Sequence, residues 1–438
     1  MEPTGAHHEV GVDELFFSTT DSKGVIERCN TVFTRLSHYS REQLIGTPHN
    51  IIRHPMMPGG AFYAMWSTLL AGKPFAAYVH NLAANGSRYD VFATITPMRD
   101  GGFLSVRTRP MATQLFAAAD AIYAQAFETE LHARNRGANR HDAAVEGAGT
   151  IVTLLNQSGY ASYDDFMYEA LPAEVVAREA ASAGIARRDD AWGDEANMLR
   201  TVHYIYEELD SWMGTMNDLA HLAQEWQTTS DTLQEQSQKN PVPPELHALL
   251  THPNLATVKQ TVDVWQQMQG MTNSYLSEVA GSLEQLQATV ARNRFRIALS
   301  RLHTTMLAQF LAEVIDGGEA AHQQSNDEIR LLREALEDGV AEMTRSQSEL
   351  QTLLSRAAAS IEAAIRMVAI PRQMTSIIQA QTPLLAPDVQ PLIPMIVATI
   401  AQWGGAIDQM GELAQTCKQY TNRDSSHLHE LIGYLSAN

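Results

Sequence analysis

The spacing of apolar and polar positions changes character once along this chain, near residue 112. Before that point short runs alternate with period two. "FFSTTD" and "GVIERC" are β-rich and flank Ser22–Lys23–Gly24, which predicts an antiparallel hairpin. "TVFTRLSHY" follows Asn30 with helical spacing. "SREQLIG" sets Ser40 and Gln43 at the spacing of a capping box, with Gly46 placed to stop that short helix. Phe62, Met65, Trp66 and Leu69 recur at i, i+3, i+4 and i+7, one apolar stripe of an amphipathic helix ending before Gly72 and Pro74. "FAAYVHNLAANGSRYDVFATITPM" holds two alternating runs about Asn85–Gly86, a strong hairpin signal, and "GGFLSVRTR" supplies a fifth strand.

After residue 112 the strand signals vanish and the periodicity is helical. Loops are expected at "NRGANR" (135–140), "KNPVPPEL" (239–246), "IDGGEA" (315–320) and "AQTPLLAPDVQPLIP" (380–394). Ser162 and Asp165 have capping-box spacing, which predicts a shorter helical layer ahead of the long helices. Three apolar seams follow. The first is Leu199, Val202, Tyr206, Leu209, Met213, Met216, Ala220 and Ala223; the second is Leu276, Val279, Leu283, Leu286 and Val290. The third, Ile329, Leu332, Leu336, Met343, Leu350 and Leu353, is interrupted at Gly339 and Ser346. Seams of this width suit long antiparallel helices in a bundle or coiled coil, either monomeric or doubled in a homodimer.

Composition narrows the class. A chain of 438 residues is long for one core, so several domains are expected. With 45% apolar and 18% charged residues it reads as folded. A formal charge of −19 disfavours nucleic acid and anionic membranes as partners. Cys29 and Cys417 are too few for a disulfide framework, the N-terminus lacks the pattern of a signal peptide, and the apolar window 391–403 is broken by Pro391 and Pro394. A soluble, cytoplasmic protein without a membrane span is expected. Walker A, GxGxxG, G-x-S-x-G and H-E-x-x-H patterns are absent, so no enzyme is expected.

The order of elements, two strands, short helices, a longer helix and three strands, describes a PAS domain. The residues themselves go further. The run from "STTDSKGVIERCNTVF" through "GTPHNIIRHPMMPGGAFYAMWSTLLAGKPF", with "VHNLAANGSRYDV" and "SVRTRP", resembles the PAS domain of bacterial aerotaxis (energy-taxis) receptors over residues 15–110. The resemblance implies a noncovalently bound flavin adenine dinucleotide (FAD) whose redox state is reported to a helical signalling region. It also places Asn30, Arg53, His54, Trp66 and Asn81 where that family positions flavin-binding or pocket-lining residues. Two positions depart from the family. Met56 stands where an aspartate is usual, and Phe75 stands where a tryptophan is usual. The expected organisation is a tail (1–14), an α+β PAS domain with a five-stranded antiparallel sheet and flanking short helices (15–110), a short-helix layer (111–195) and an all-α long-helix output region (196–438). The tip pattern by which chemotaxis receptors dock their kinase is not found in 292–318, so the signalling partner is unidentified.

The segment "HNIIRHPMMPGG" (49–60) concentrates the candidate chemistry. His49 and His54 would lie roughly 140° apart on a helix, and Pro55 interrupts such a helix, so the pair is not expected to chelate one metal. A single axial histidine leaves haem open. Arg53 carries a guanidinium fork that matches pyrophosphate oxygens, and a break between short helices frees backbone N–H groups to help. Asn81 brings a polar amide among Ala77 and Val79, where burial demands a partner such as a flavin ring edge. Two other readings stand beside the FAD sensor: a ligand-free PAS interaction or dimerisation scaffold, and a haem-based gas sensor.

Overall fold

The period-two runs pair into one antiparallel sheet made of Phe16–Thr20 (β1), Ile26–Cys29 (β2), Phe75–Leu82 (β3), Arg88–Pro97 (β4) and Phe103–Thr108 (β5). Its strand order is β2-β1-β5-β4-β3, so the last strand sits at the centre, between the first strand and the second hairpin. Local chemistry closes each turn. Asp21 accepts from the backbone N–H groups of Lys23 and Val25 at 2.8 and 2.9 Å, and Gly24 takes the left-handed φ of 79° that the hairpin requires. Gly86 does the same for the second hairpin at φ 81°. Between the hairpins run Thr31–Ser37 (α1), Arg41–Leu44 (α2), a 3-10 turn at His49–Ile52 and Gly59–Leu70 (α3). The capping box of α2 is formed by Ser40 and Gln43 as the spacing predicts, and Gly46 follows with φ 78°.

The structure is a computed structural model that describes residues 2–239, 256–317, 319–384, 387, 390–420 and 426–437. The loop expected at 239–246 lies almost wholly outside the described residues, as do parts of 315–320 and 380–394. Beyond β5 the chain is helical: Thr113–Asn135 (α4), Arg140–Gln157 (α5), Tyr163–Ala181 (α6), Asp194–Lys239 (α7), Ala256–Gly317 (α8), Glu319–Gln381 (α9), Leu392–Gln419 (α10) and Ser426–Ala437 (α11). Among the described residues no helix is long and apolar enough to cross a membrane. The fold class expected from the sequence is the one observed: a five-stranded PAS sheet followed by long helices. Ser162 caps α6 by accepting from Asp165 N–H, and every position of the second and third seams is buried. In the first seam Tyr206 and Ala220 are half-buried, while Ile205, Trp212, Leu219 and Trp226 widen the stripe.

Contacts divide the chain into two compact units. One comprises Met1–Met213, Arg294–Met343 and Ser425–Asn438; the other comprises Gly214–Asn293 and Thr344–Asp424. Within the second, Arg292 pairs with Glu349 and Arg372 with Asp408.

In the first unit the outer face of the sheet is covered by helices. Phe17 meets Phe310 of α8 edge-on at 5.1 Å, and Tyr78 packs on Phe116 of α4 at 5.3 Å. The Tyr78 hydroxyl donates to the buried carboxylate of Glu174 in α6 at 2.7 Å. That carboxylate also accepts from Met111 and Ala112 N–H at 2.6 and 3.0 Å, so it fixes the point where the chain leaves the sheet for α4. Burial raises the Glu174 pKa, against the pull of those donors. His80 reaches Asp90 at 2.7 Å and Asp120 of α4 at 2.9 Å, tying β3 to the same helix.

Helix α3 is held from outside by the α4–α5 hairpin. Both oxygens of Glu130 accept from its first N–H groups, Gly59 and Gly60, each at 2.7 Å, which satisfies donors that a helix start leaves open and places a negative charge at the positive end of the dipole. Two glycines allow this approach: a Cβ on Gly60 would stand 2.3 Å from Ala148 N, and one on Gly147 would stand 2.1 Å from Glu130 Oε1. Gly60→Ala is therefore expected to push α3 and α5 apart and lower stability by about 1–3 kcal/mol. Urea denaturation checks this. An unchanged midpoint would show that the helices do not need the contact.

Candidate functional site

The inner face of the sheet, the 3-10 turn and α3 enclose a cleft of about 310 Å3. Period two selects its floor: Val79 and Asn81 from β3, Ala93 and Ile95 from β4, and Phe103, Ser105 and Arg107 from β5. The α3 stripe read from the sequence, Phe62, Met65, Trp66 and Leu69, forms the opposite wall. Lys23, Pro48 and Asn50, all exposed, stand at the rim. The volume lies at the low end of those that bury ligands of drug size, enough for a fused ring system with any remainder leaving through the rim.

The five residues singled out from the sequence separate into two groups. Arg53, Trp66 and Asn81 come together on the cleft. Arg53 is half-buried, its guanidinium carbon lies 4.2 Å from the centre of the Phe62 ring, and one Nη2 hydrogen goes to Met57 O at 2.7 Å. Burial lowers its pKa, opposed by Glu130. Trp66 meets Phe103 edge-on at 5.5 Å. Asn81 is buried, and its Nδ2 has no hydrogen-bond partner. Asn30 and His54 do not line the cleft. Asn30 is the N-cap of α1: its Oδ1 accepts from Phe33 and Phe17 N–H, each at 3.1 Å, and its Nδ2 donates to Leu15 O at 2.7 Å. His54 is buried in a bridge to β3, its N–H donating to His80 O at 3.2 Å while its Nδ1 faces Met56 N–H at 3.3 Å. The two departures from the family pattern also lie off the cleft. Met56 is 59% exposed, and Phe75 stacks on Tyr163 at 5.1 Å.

Among the cleft residues outside those five, His49 and Arg107 carry its chemistry furthest. His49 stacks on Phe33 at 5.5 Å, with Nε2 3.4 Å from Ser18 Oγ; burial and then the charge of Arg107 push its pKa well down, so it is neutral. Arg107 is 6% exposed, sits over the Phe16 ring at 4.6 Å and reaches Ser18 Oγ at 3.4 Å, with no carboxylate beside it. Burial pushes its pKa down to about 10, so it stays charged at neutral pH. The signal was available in the sequence: Phe103, Ser105 and Arg107 alternate, and any strand that puts Ser105 inward puts Arg107 there too.

The lining thus contains Lys23, Arg53, Arg107 and His49 and no Asp or Glu, in a chain of net charge −19. Among the described residues no group of three or more His, Cys, Asp or Glu side chains is placed to hold a metal ion. Chemically the cleft offers cations and amide donors over an aromatic and aliphatic surface, which suits an anionic ligand carrying a flat ring.

The two asparagines are expected to respond oppositely. Asn30→Ala removes a cap and leaves three backbone groups without partners, and should lower stability by about 1–2 kcal/mol. Asn81→Leu removes an unpaired buried donor and should leave the urea midpoint of the unliganded protein unchanged or raise it by about 1 kcal/mol equivalent. Equal losses for both would make Asn81 a structural residue.

Comparison with known proteins finds similarity in the N-terminal region. No family model matches the chain. The N-terminal region is 41% identical over 115 residues to the aerotaxis receptor of Escherichia coli (strain K12), covering 25% of this chain and 22% of that protein. A nitrogen fixation regulatory protein of Klebsiella pneumoniae is 32% identical over 81 residues, 18% of this chain and 16% of that protein. The match thus spans about a fifth of the length of either curated relative. Among solved structures, a PAS domain from Colwellia psychrerythraea aligns at 22% identity and TM-score 0.19, covering 22% of this chain and 85% of that one. The LOV domain of a blue-light activated histidine kinase from Erythrobacter litoralis aligns at 16% identity and TM-score 0.20, covering 22% and 93%. By strand order and by these sequence relatives, the N-terminal region of this chain is a PAS domain of the aerotaxis-receptor kind.

Proposed function

We propose that this PAS domain binds FAD noncovalently and that the chain is a redox-sensing signal-transduction protein, not an enzyme. The observation that carries the reading is the lining of the cleft: three cations and no carboxylate around an aromatic-walled slot in an acidic chain. FAD joins a flat, acceptor-edged ring to a diphosphate, and each part has a counterpart here. Trp66, Phe62 and Met65 offer the apolar wall for a ring, and the orphan amide of Asn81 offers a donor to its edge. Arg53 and Lys23 stand nearer the rim, where phosphate oxygens would meet a guanidinium fork and an ammonium. FAD, when bound, would supply a ring that accepts or gives up two electrons.

The fold supports a route outward. One side of α3 lines the cleft, while its first turn is held by Glu130 and packed on α5. A redox form that fits the cleft differently would bias the position of α3, and with it the α4–α5 hairpin, as a population shift. The aerotaxis receptor relative makes an aerotaxis-like role, a homodimer and a signalling protein partner in the cytoplasm part of the same proposal.

The visible spectrum of the freshly purified full chain, before and after incubation with FAD, tests this. Flavin bands are expected, and Arg53→Ala should weaken FAD binding at least about tenfold while changing riboflavin binding much less, because the lost contact is to phosphate. A Soret band would replace flavin by haem. A colourless protein that takes up neither would leave the PAS domain as an interaction scaffold.

A further inference from the structure

Arg107 occupies an unusual position for a cation. It is paired with Phe16 of β1 on one side and Ala93 of β4 on the other, so it sits at the middle of the sheet and not at its edge. Its guanidinium has the Phe16 ring, the Ser18 hydroxyl and the buried phenol of Tyr89 near it, and no carboxylate. Burying a cation without a counter-charge is unfavourable by several kcal/mol unless something supplies one. Asn81, on the same face, adds a second buried donor without an acceptor. The floor of the cleft therefore holds one amide donor without an acceptor and one cation without a counter-charge.

We infer that Arg107 is a positioning residue that faces the acceptor-rich edge of the bound ring and makes the cleft prefer the reduced, negatively charged ring over the oxidised one. The inference rests on the flavin reading and deepens it: Arg53 serves retention of the nucleotide, and Arg107 sets its redox preference. The balance is simple. The neutral oxidised ring takes two electrons and one proton and gains one negative charge. In the test the electrons come from dithionite, which is oxidised to sulfite, and the proton comes from buffer. A fixed cation in a site poor in water stabilises the charged product far more than it would in bulk solvent, and no carboxylate is present to cancel it. The ring in its oxidised form gains only dipole interactions from the same group. Reduction thus strengthens a contact at the centre of the sheet, whose outer face is packed on α4, α6 and α8.

The experiment is a reductive titration of the FAD-loaded full chain against a reference dye, with Arg107→Met and Arg107→Lys alongside. Arg107→Met is expected to retain oxidised FAD but to lose at least about tenfold in preference for the reduced form, which for a two-electron couple lowers the midpoint potential by about 30 mV. Arg107→Lys keeps a cation and should recover most of the loss, a rescue that a purely packing role would not give. Should Arg107→Met fail to fold by circular dichroism, Arg107→Gln replaces it with the same expectation. FAD uptake with an unchanged potential in the neutral variants overturns the inference alone. No FAD uptake by the unaltered chain overturns the flavin reading and this inference together.

Discussion

A guanidinium buried at the centre of a β-sheet with no carboxylate beside it is the constraint from which the rest of the site follows. Arg107 is 6% exposed and charged at neutral pH, and its neighbours include the Phe16 ring, the Ser18 hydroxyl and the Tyr89 phenol. A core selected only for stability would pair such a charge or replace it. Its presence in a lining that also excludes acids, within a chain of net charge −19, makes the cleft electrostatically opposite to the molecule around it. Burial, and after it the same charge, push the pKa of His49 well down.

The sheet that carries this charge works on both faces. Period two sends Ser105 and Arg107 into the cleft and Leu104 and Val106 to the side packed by helices, so any change in what the cleft holds is one backbone thickness from the helical layer. Two carboxylates join that layer to the domain. Glu130 ends the open N–H groups of α3, and Glu174 fastens both Tyr78 and the exit at Met111–Ala112. Asp90, although half-buried, is held well below the usual carboxylate range by His80 and Arg88 and remains an anion that ties β3 to β4. Thus acids hold the frame, and bases line the site.

Much of this was readable along the chain where the interaction is local. The capping box of α2, both hairpin glycines, the α3 stripe and the N-cap at Ser162 all depend on residues within a few positions of one another, and each formed as spacing predicts. Arg53, Trp66 and Asn81 reached the cleft for similar reasons: a bend, a helical stripe and a strand alternation. Asn30 shows the limit of pattern. The same amide suits a ligand or a helix cap, and only the positions of Phe17, Phe33 and Leu15 decide for the cap. Alternation puts Arg107 on the same face as Ser105, but its place at the middle of the sheet depends on pairing with β1 and β4. Glu130 and Glu174 were illegible, since their partners lie 70, 71 and 96 residues away. Nor does a periodic helix reveal which part of its length packs on a sheet, as Phe310 of α8 does on Phe17.

Ligand linkage offers the most direct measurement, because anything that binds only the folded PAS domain must raise its stability with concentration. Thermal unfolding of the full chain, followed by the near-ultraviolet signal at increasing FAD, should show a midpoint that climbs with the logarithm of FAD concentration above the dissociation constant, with adenosine giving a much smaller rise. A midpoint indifferent to FAD at concentrations that saturate ordinary flavoproteins would contradict the view that these unpaired cations await a nucleotide.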